Sequence, residues 1–225
     1  MGYETLKKAT VVGSKNQLRD LPSVRFENLE NDGIRVLFIG NSITLHGKAP
    51  ELGWHGDWGM AASAKENDYV HLVEDYIKES DENAVFCICN IADWEREYKD
   101  GERTFHMFEP AREFDADIII IKASANSPTE DFDEELYKNS YKKMVDYFNK
   151  SGKAKIIIAT EFYKHPAEEA IKTYAKENNY PCCILSDLSE KDEMKALGLY
   201  EHSGVAGHPG DFGMQAIAER ICGLI

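Results

Sequence analysis

Short apolar runs closed by turn residues alternate along this chain with longer stretches whose apolar positions fall three or four apart. The first run, residues 34–39, reads Ile-Arg-Val-Leu-Phe-Ile and stops at Gly40, which predicts a buried strand. Further strands are expected at 84–89, at 117–122 around four consecutive isoleucines, at 155–160 and, shorter, at 182–185. Such runs, flanked by helical patterns, belong to a parallel sheet covered on both faces. Helices are expected over 60–80, with Ala61, Ala64, Val70, Val73 and Ile77 largely on one face, and over 105–114 with a break near Pro110. Others fall at 132–150, 166–178, 189–197 and 211–224. Strand alternating with helix five times predicts an α/β domain built on a parallel, doubly wound sheet of about five strands. Residues 1–33 lack this rhythm and read as an N-terminal appendage to a single domain spanning 34–225. Within the appendage, Val24-Arg25-Phe26 suits a short edge strand and Asn31-Asp32-Gly33 a turn.

Composition narrows the partners. The chain has 225 residues, enough for one domain with a sizeable core, and a net charge of -14. That charge would be repelled by a nucleic-acid backbone and by an anionic membrane surface. No apolar run approaches the roughly 18 residues of a membrane span, and residues 1–14 contain no secretory apolar core. Cys87, Cys89, Cys182, Cys183 and Cys222 show no zinc-ligand spacing, so buried free thiols in a reducing cytoplasm are expected.

The chemistry gathers at strand ends. Ser42, Ala92, Asn126, Glu161 and Asp187 come after successive strands, and right-handed crossovers bring all of them to one edge of the sheet. Acyl transfer needs a nucleophile, a base and donors aimed at a developing oxyanion. Ser42 suits the first role, although a serine after a strand is also a common N-cap. Asn126 can donate its side-chain amide, and the backbone N–H groups of Ser42 and Ala92 would point into the same crevice. His208, in Gly207-His208-Pro209-Gly210-Asp211 before the last helix, suits the base, with Asp211 as that helix's cap.

Gly40-Asn41-Ser42 after a strand, Asn126 after the third strand, and His208-Pro209 followed by Asp211, Gly213 and Met214 resemble the SGNH (GDSL-type) hydrolases. The resemblance covers about residues 34–225. It implies a flavodoxin-like three-layer α/β/α sandwich and an esterase, lipase, thioesterase or carbohydrate deacetylase activity that requires no cofactor and no metal. Ser42 would be the nucleophile and His208 the general base, with the Ser42 and Ala92 amides and the Asn126 side chain as the oxyanion hole. The substrate would be a small acyl ester, such as an acetyl group on a carbohydrate.

Three positions depart from that pattern. Ala92 stands for a glycine, Ser124-Ala125-Asn126-Ser127 keeps only the asparagine of its block, and Val205 stands where an acid usually precedes the histidine by three residues. A backbone carbonyl near Val205 is the favoured acceptor for the imidazole, with Glu201 and Asp187 as alternatives. Around the crevice, Asn41, Trp54, Trp58, Trp94 and Glu161 are candidate pocket residues. His46 and His55 read as loop residues, and His55 with Asp57 lacks a third metal ligand. The main rival is a weakly active or inactive domain that holds a carbohydrate or small ligand in the same crevice. A flavin or nucleotide module is a second, but the loop 40–44 lacks a phosphate-cradling pattern.

Overall fold

A computed structural model describes residues 22–225. Residues 1–21 of the expected appendage lie outside these residues. The strands are β1 (Val24–Glu27), β2 (Arg35–Gly40), β3 (Val85–Asn90), β4 (Ile118–Ile121), β5 (Lys155–Ala159) and β6 (Cys182–Cys183). The helices are α1 (Tyr69–Lys78), α2 (Ala92–Arg96), α3 (Glu109–Glu113), α4 (Glu134–Phe148), α5 (Ala167–Glu177), α6 (Ser203–Ala206) and α7 (Asp211–Cys222). Among the described residues, no helix is long and apolar enough to cross a membrane.

The six strands lie in the order β1-β3-β2-β4-β5-β6. Five run parallel, with Val36 opposite Phe86 on one side and Ile118 on the other. β1 adds an antiparallel edge, pairing Val24 with Cys89 and Glu27 with Phe86. The short edge strand expected at Val24-Arg25-Phe26 is present, so the segment before residue 34 joins the sheet over residues 24–27.

Side chains alternate across the sheet with a period of two, and this makes two cores. Leu37, Ile39, Cys87, Cys89, Ile119 and Ile121 face a layer containing α3, α4 and α5, where Phe108, Tyr141, Met144 and Ile171 are buried. Val36, Phe38, Phe86, Ile88, Ile118 and Ile120 face the opposite layer, formed by α1 and α7 through Val70, Val73, Ile217 and Ile221. The result is the three-layer α/β/α arrangement.

Helix starts are fixed by local chemistry. The Asp68 side chain accepts the His71 N–H at 2.9 Å and the Gly59 N–H at 2.8 Å, so it caps α1 and closes the loop before it. The helix expected from residue 60 consequently begins only at Tyr69, and Ala61 sits in the loop with φ +77°. The helix expected over 189–197 is instead two single 3₁₀ turns, Leu188–Glu190 and Asp192–Met194. Residues 105–114 divide between an irregular 3₁₀ stretch, Tyr98–Phe108, and α3.

Candidate active site

β2 delivers the first group. At Gly40, a Cβ would lie 1.9 Å from Thr44 Oγ1 and 2.9 Å from the Lys122 carbonyl. Glycine is needed there because the chain folds back on itself closely. The Asn41 carbonyl then accepts the Thr44 and Leu45 N–H groups, and Ser42 stands on the resulting turn. Its Oγ lies 2.8 Å from His208 Nε2.

His208 comes from the short connection between α6 and α7. Ala196 N–H donates to the His208 carbonyl and Tyr163 O–H to the Gly207 carbonyl, each at 2.9 Å, which pins this loop to its neighbours. His208 Nδ1 lies 2.7 Å from the Gly204 carbonyl. A carbonyl only accepts, so the proton of the neutral ring sits on Nδ1 and Nε2 presents its lone pair to the serine hydroxyl. Burial lowers the His208 pKa from its usual value. The carbonyl acceptor expected near Val205 is thus Gly204. Asp187 forms a two-point pair with Arg220 at 2.5 and 2.8 Å, and Glu201 lies exposed on the surface.

Ser42, His208, Ala92 and Asn126 share the wall of a cleft of about 650 Å³ at the carboxyl edge of the sheet. His46, Asp93, Arg96 and Met107 also line it. The three groups expected as oxyanion donors are not equally free. The Ser42 N–H has no partner among the described residues, but the Ala92 N–H donates to Asn90 Oδ1 at 2.8 Å. Asn126 Nδ2 donates to Glu95 Oε2 at 2.5 Å, and a primary amide carries a second hydrogen to offer.

Beneath the cleft lies a buried charged network that sequence reasoning missed. Asn41 Nδ2 donates to Glu161 Oε1 at 2.6 Å and to Glu95 Oε1 at 3.0 Å. Lys122 Nζ donates to Glu161 Oε2 at 2.8 Å. All four residues are almost fully buried. Burial, then the neighbouring Glu161 carboxylate, push Glu95 up to about 7. Asn41 and Glu161, expected as pocket residues, instead support the floor. A lysine closing a run of four isoleucines was the available signal for Lys122.

The three tryptophans do not line this cleft. Trp54 packs edge-on against Trp58 at 5.6 Å in a small core that also holds Val205, and its indole N–H reaches the His46 carbonyl. Trp94 is buried against Tyr137 and Tyr141 in the core facing α4. Each flat apolar ring is worth more in these cores than in a solvated cleft. Asp211 does not cap α7 either. Gly210 holds that position, and the Asp211 carboxylate accepts the Ser63 N–H at 2.8 Å and the Ser63 hydroxyl at 2.6 Å. The Asp57 backbone and side chain both pair with Arg25. Cys87 and Cys89 are buried, the other three cysteines half-buried, and all five are free thiols.

No family model matches the chain, and no curated protein matches its sequence. Solved structures do match its fold. A two-domain esterase active on acetylated mannans is similar over 97% of this chain and 51% of its own, with 17% identity and a TM-score of 0.54. The chain therefore spans about half the length of that esterase. The esterase EstA from Pseudoalteromonas sp. matches over 85% of this chain and 96% of its own, at 12% identity and a TM-score of 0.52. A putative lipolytic protein of the G-D-S-L family from Desulfitobacterium hafniense DCB-2 matches over 86% of this chain and 100% of its own, at 14% identity and a TM-score of 0.50. At these identities the likeness is one of fold: the chain shares the fold of these two esterases and of this lipolytic protein.

Proposed function

We propose that this protein is a serine ester hydrolase working through a Ser42–His208 dyad. The observation that carries the reading is the relay from Ser42 Oγ through the His208 ring to the Gly204 carbonyl, at 2.8 and 2.7 Å. His208 Nε2 takes the Ser42 proton as Oγ attacks the ester carbonyl. The tetrahedral oxyanion is held by the Ser42 N–H and the free hydrogen of Asn126 Nδ2. The imidazolium returns the proton to the leaving alkoxide, and water repeats the sequence to free the acid and the serine. A carbonyl orients the imidazole as an acid would but neutralises less of its charge, so turnover is modest.

For the substrate we favour a small acyl ester, and an acetyl group on a carbohydrate first. The support is the cleft, which has room for a sugar beside the serine, and the acetylated-mannan esterase among the proteins of like fold. The rival reading, a binding domain, is favoured by one observation: Asn90 occupies the Ala92 amide. Hydrolysis of p-nitrophenyl acetate, p-nitrophenyl butyrate and acetylated mannan by wild type, Ser42→Ala and His208→Ala separates the two. Activity lost in both variants, with fluorophosphonate labelling lost in Ser42→Ala, supports the hydrolase. Wild-type turnover equal to that of the variants on every ester overturns it in favour of ligand binding.

A further inference from the structure

Strand β1 carries Val24 and Phe26 into the core facing α4, so by alternation Arg25 and Glu27 face the other side, toward α1. There Glu27 meets His71 and Glu74, three residues apart on that helix. His71 Nε2 is 3.3 Å from Glu27 Oε1, and one ligating atom from each of the three residues falls within 4.8 Å of the others. Glu74 is fully buried, yet its Oε1 has no hydrogen-bond partner. Its other oxygen accepts only the half-exposed Lys78 Nζ, at 3.3 Å. A buried carboxylate oxygen left without a donor is costly, and beside an imidazole and a second carboxylate it marks the place of a cation.

We propose that Glu27, His71 and Glu74 bind a divalent cation of the zinc class, which pins strand β1 to helix α1. The donor set is one imidazole and two carboxylates without thiolate, suited to zinc with water completing the shell. Ligands about 2.0–2.2 Å from a tetrahedral ion lie about 3.3 Å apart, the separation His71 and Glu27 already have. His71 Nδ1 lies 2.7 Å from Asp68 Oδ1, the place a carboxylate takes behind a metal-bound histidine, and the ion would replace the Nε2 proton that now faces Glu27. Lys65 Nζ lies on Glu27 at 2.7 and 2.9 Å, and its side chain is 39% exposed, free to swing into solvent when the ion enters. β1 comes directly after Pro22 and Ser23, which wall the cleft, so the ion would fix that wall. The inference is independent of the hydrolase reading.

The test is calorimetric titration of the chelator-treated full chain with zinc chloride, with the thermal midpoint followed in parallel. The wild type is expected to take up about one ion per chain and to melt higher when loaded. Glu27→Gln and Glu74→Gln, which keep the shape of each side chain, should each weaken binding at least tenfold. Lys65→Met removes the competing ammonium from a partly exposed position and should tighten binding severalfold. If the cluster is an ion-pair network only, the wild type binds no stoichiometric zinc and Lys65→Met merely melts lower, which overturns the proposal. Equal binding by the wild type and both glutamine variants overturns it as well, since the ion would then sit elsewhere.

Discussion

The Glu95 carboxylate holds Asn126 at two points: Oε2 accepts the backbone N–H at 3.1 Å and the side-chain amide at 2.5 Å. Its Oε1 accepts the Ser124 N–H at 2.6 Å and Asn41 Nδ2 at 3.0 Å. Four donors fill the lone-pair directions of one carboxylate. A single buried side chain therefore sets the strand end after β4 against the turn after β2. Neither Asn41, which precedes Ser42, nor Asn126 can move far without breaking one of these bonds.

Glu95→Gln replaces an acceptor by an NH₂ group facing N–H donors, so Asn126 should lose its fixed orientation. We expect kcat to fall by about 10- to 100-fold with little change in KM, against about 10²- to 10³-fold for Asn126→Ala. Because Glu95 acts through Asn126, the double variant should be no worse than Asn126→Ala. Steady-state kinetics on p-nitrophenyl acetate decides this, and multiplicative losses would show that Glu95 works by another route.

Glu95 also predicts a slope of stability with pH. Its pKa rises from an ordinary 4.5 to about 7 on folding. Between those values the folded protein binds a proton that the unfolded chain has released. This contribution is fully present below pH 4.5 and lost as pH rises through 7. Urea midpoints at pH 4.5, 6 and 8 should fall for wild type and stay flatter for Glu95→Gln. Parallel curves would remove Glu95 as the source.

The sequence made the sheet legible because its strands are bare apolar runs, and Ile118 to Ile121 could be little else. It made Ser42 and His208 legible because a strand-glycine turn and a pre-helix histidine converge on one sheet edge. It hid what depends on distant pairing. Asp68 moved the start of α1 by satisfying Gly59 as well as its own helix. Glu95 and Asn126 are 31 residues apart, and nothing local marks their bond. The tryptophans misled because flat rings beside a predicted crevice suit sugar binding and core packing equally: the core took Trp54 and Trp94, and Trp58 packs partly buried against Trp54.

With Gly204 in place of an acid, His208 should titrate low. Burial depresses its pKa, and among the described residues no carboxylate hydrogen-bonds to the ring to raise it again. The protonated ring cannot accept the Ser42 proton, so kcat/KM should rise with pH along an acidic limb centred below the usual 6.5 for histidine. An acidic limb centred above 7 would contradict this. Val205→Asp, restoring an acid three residues before the histidine, should not help. Val205 is buried among Ala49, Trp54, Met60 and Ala196, where an unpaired carboxylate costs about 3 kcal/mol or more. A lower thermal midpoint with no gain in kcat is the expected result.

The Lys122–Glu161 pair lies fully inside the protein, at 0% and 1% side-chain exposure. Such a pair repays its desolvation only while both partners remain. Removing the lysine leaves the Glu161 and Glu95 carboxylates sharing Asn41 Nδ2 without the ammonium that now contacts Glu161. Lys122→Met should thus destabilise by about 3–5 kcal/mol, while Glu161→Gln alone should cost less, because Glu95 remains nearby as a counter-charge. The double variant Lys122→Met/Glu161→Gln should recover much of the loss, since no buried charge in the pair is then left alone. Urea unfolding of the four proteins gives the coupling energy, and strict additivity would mean the ion pair is not what holds the floor of the site. Activity adds a second reading. If the floor serves only to keep Asn41 and Asn126 in place, the double variant should regain kcat in step with its stability.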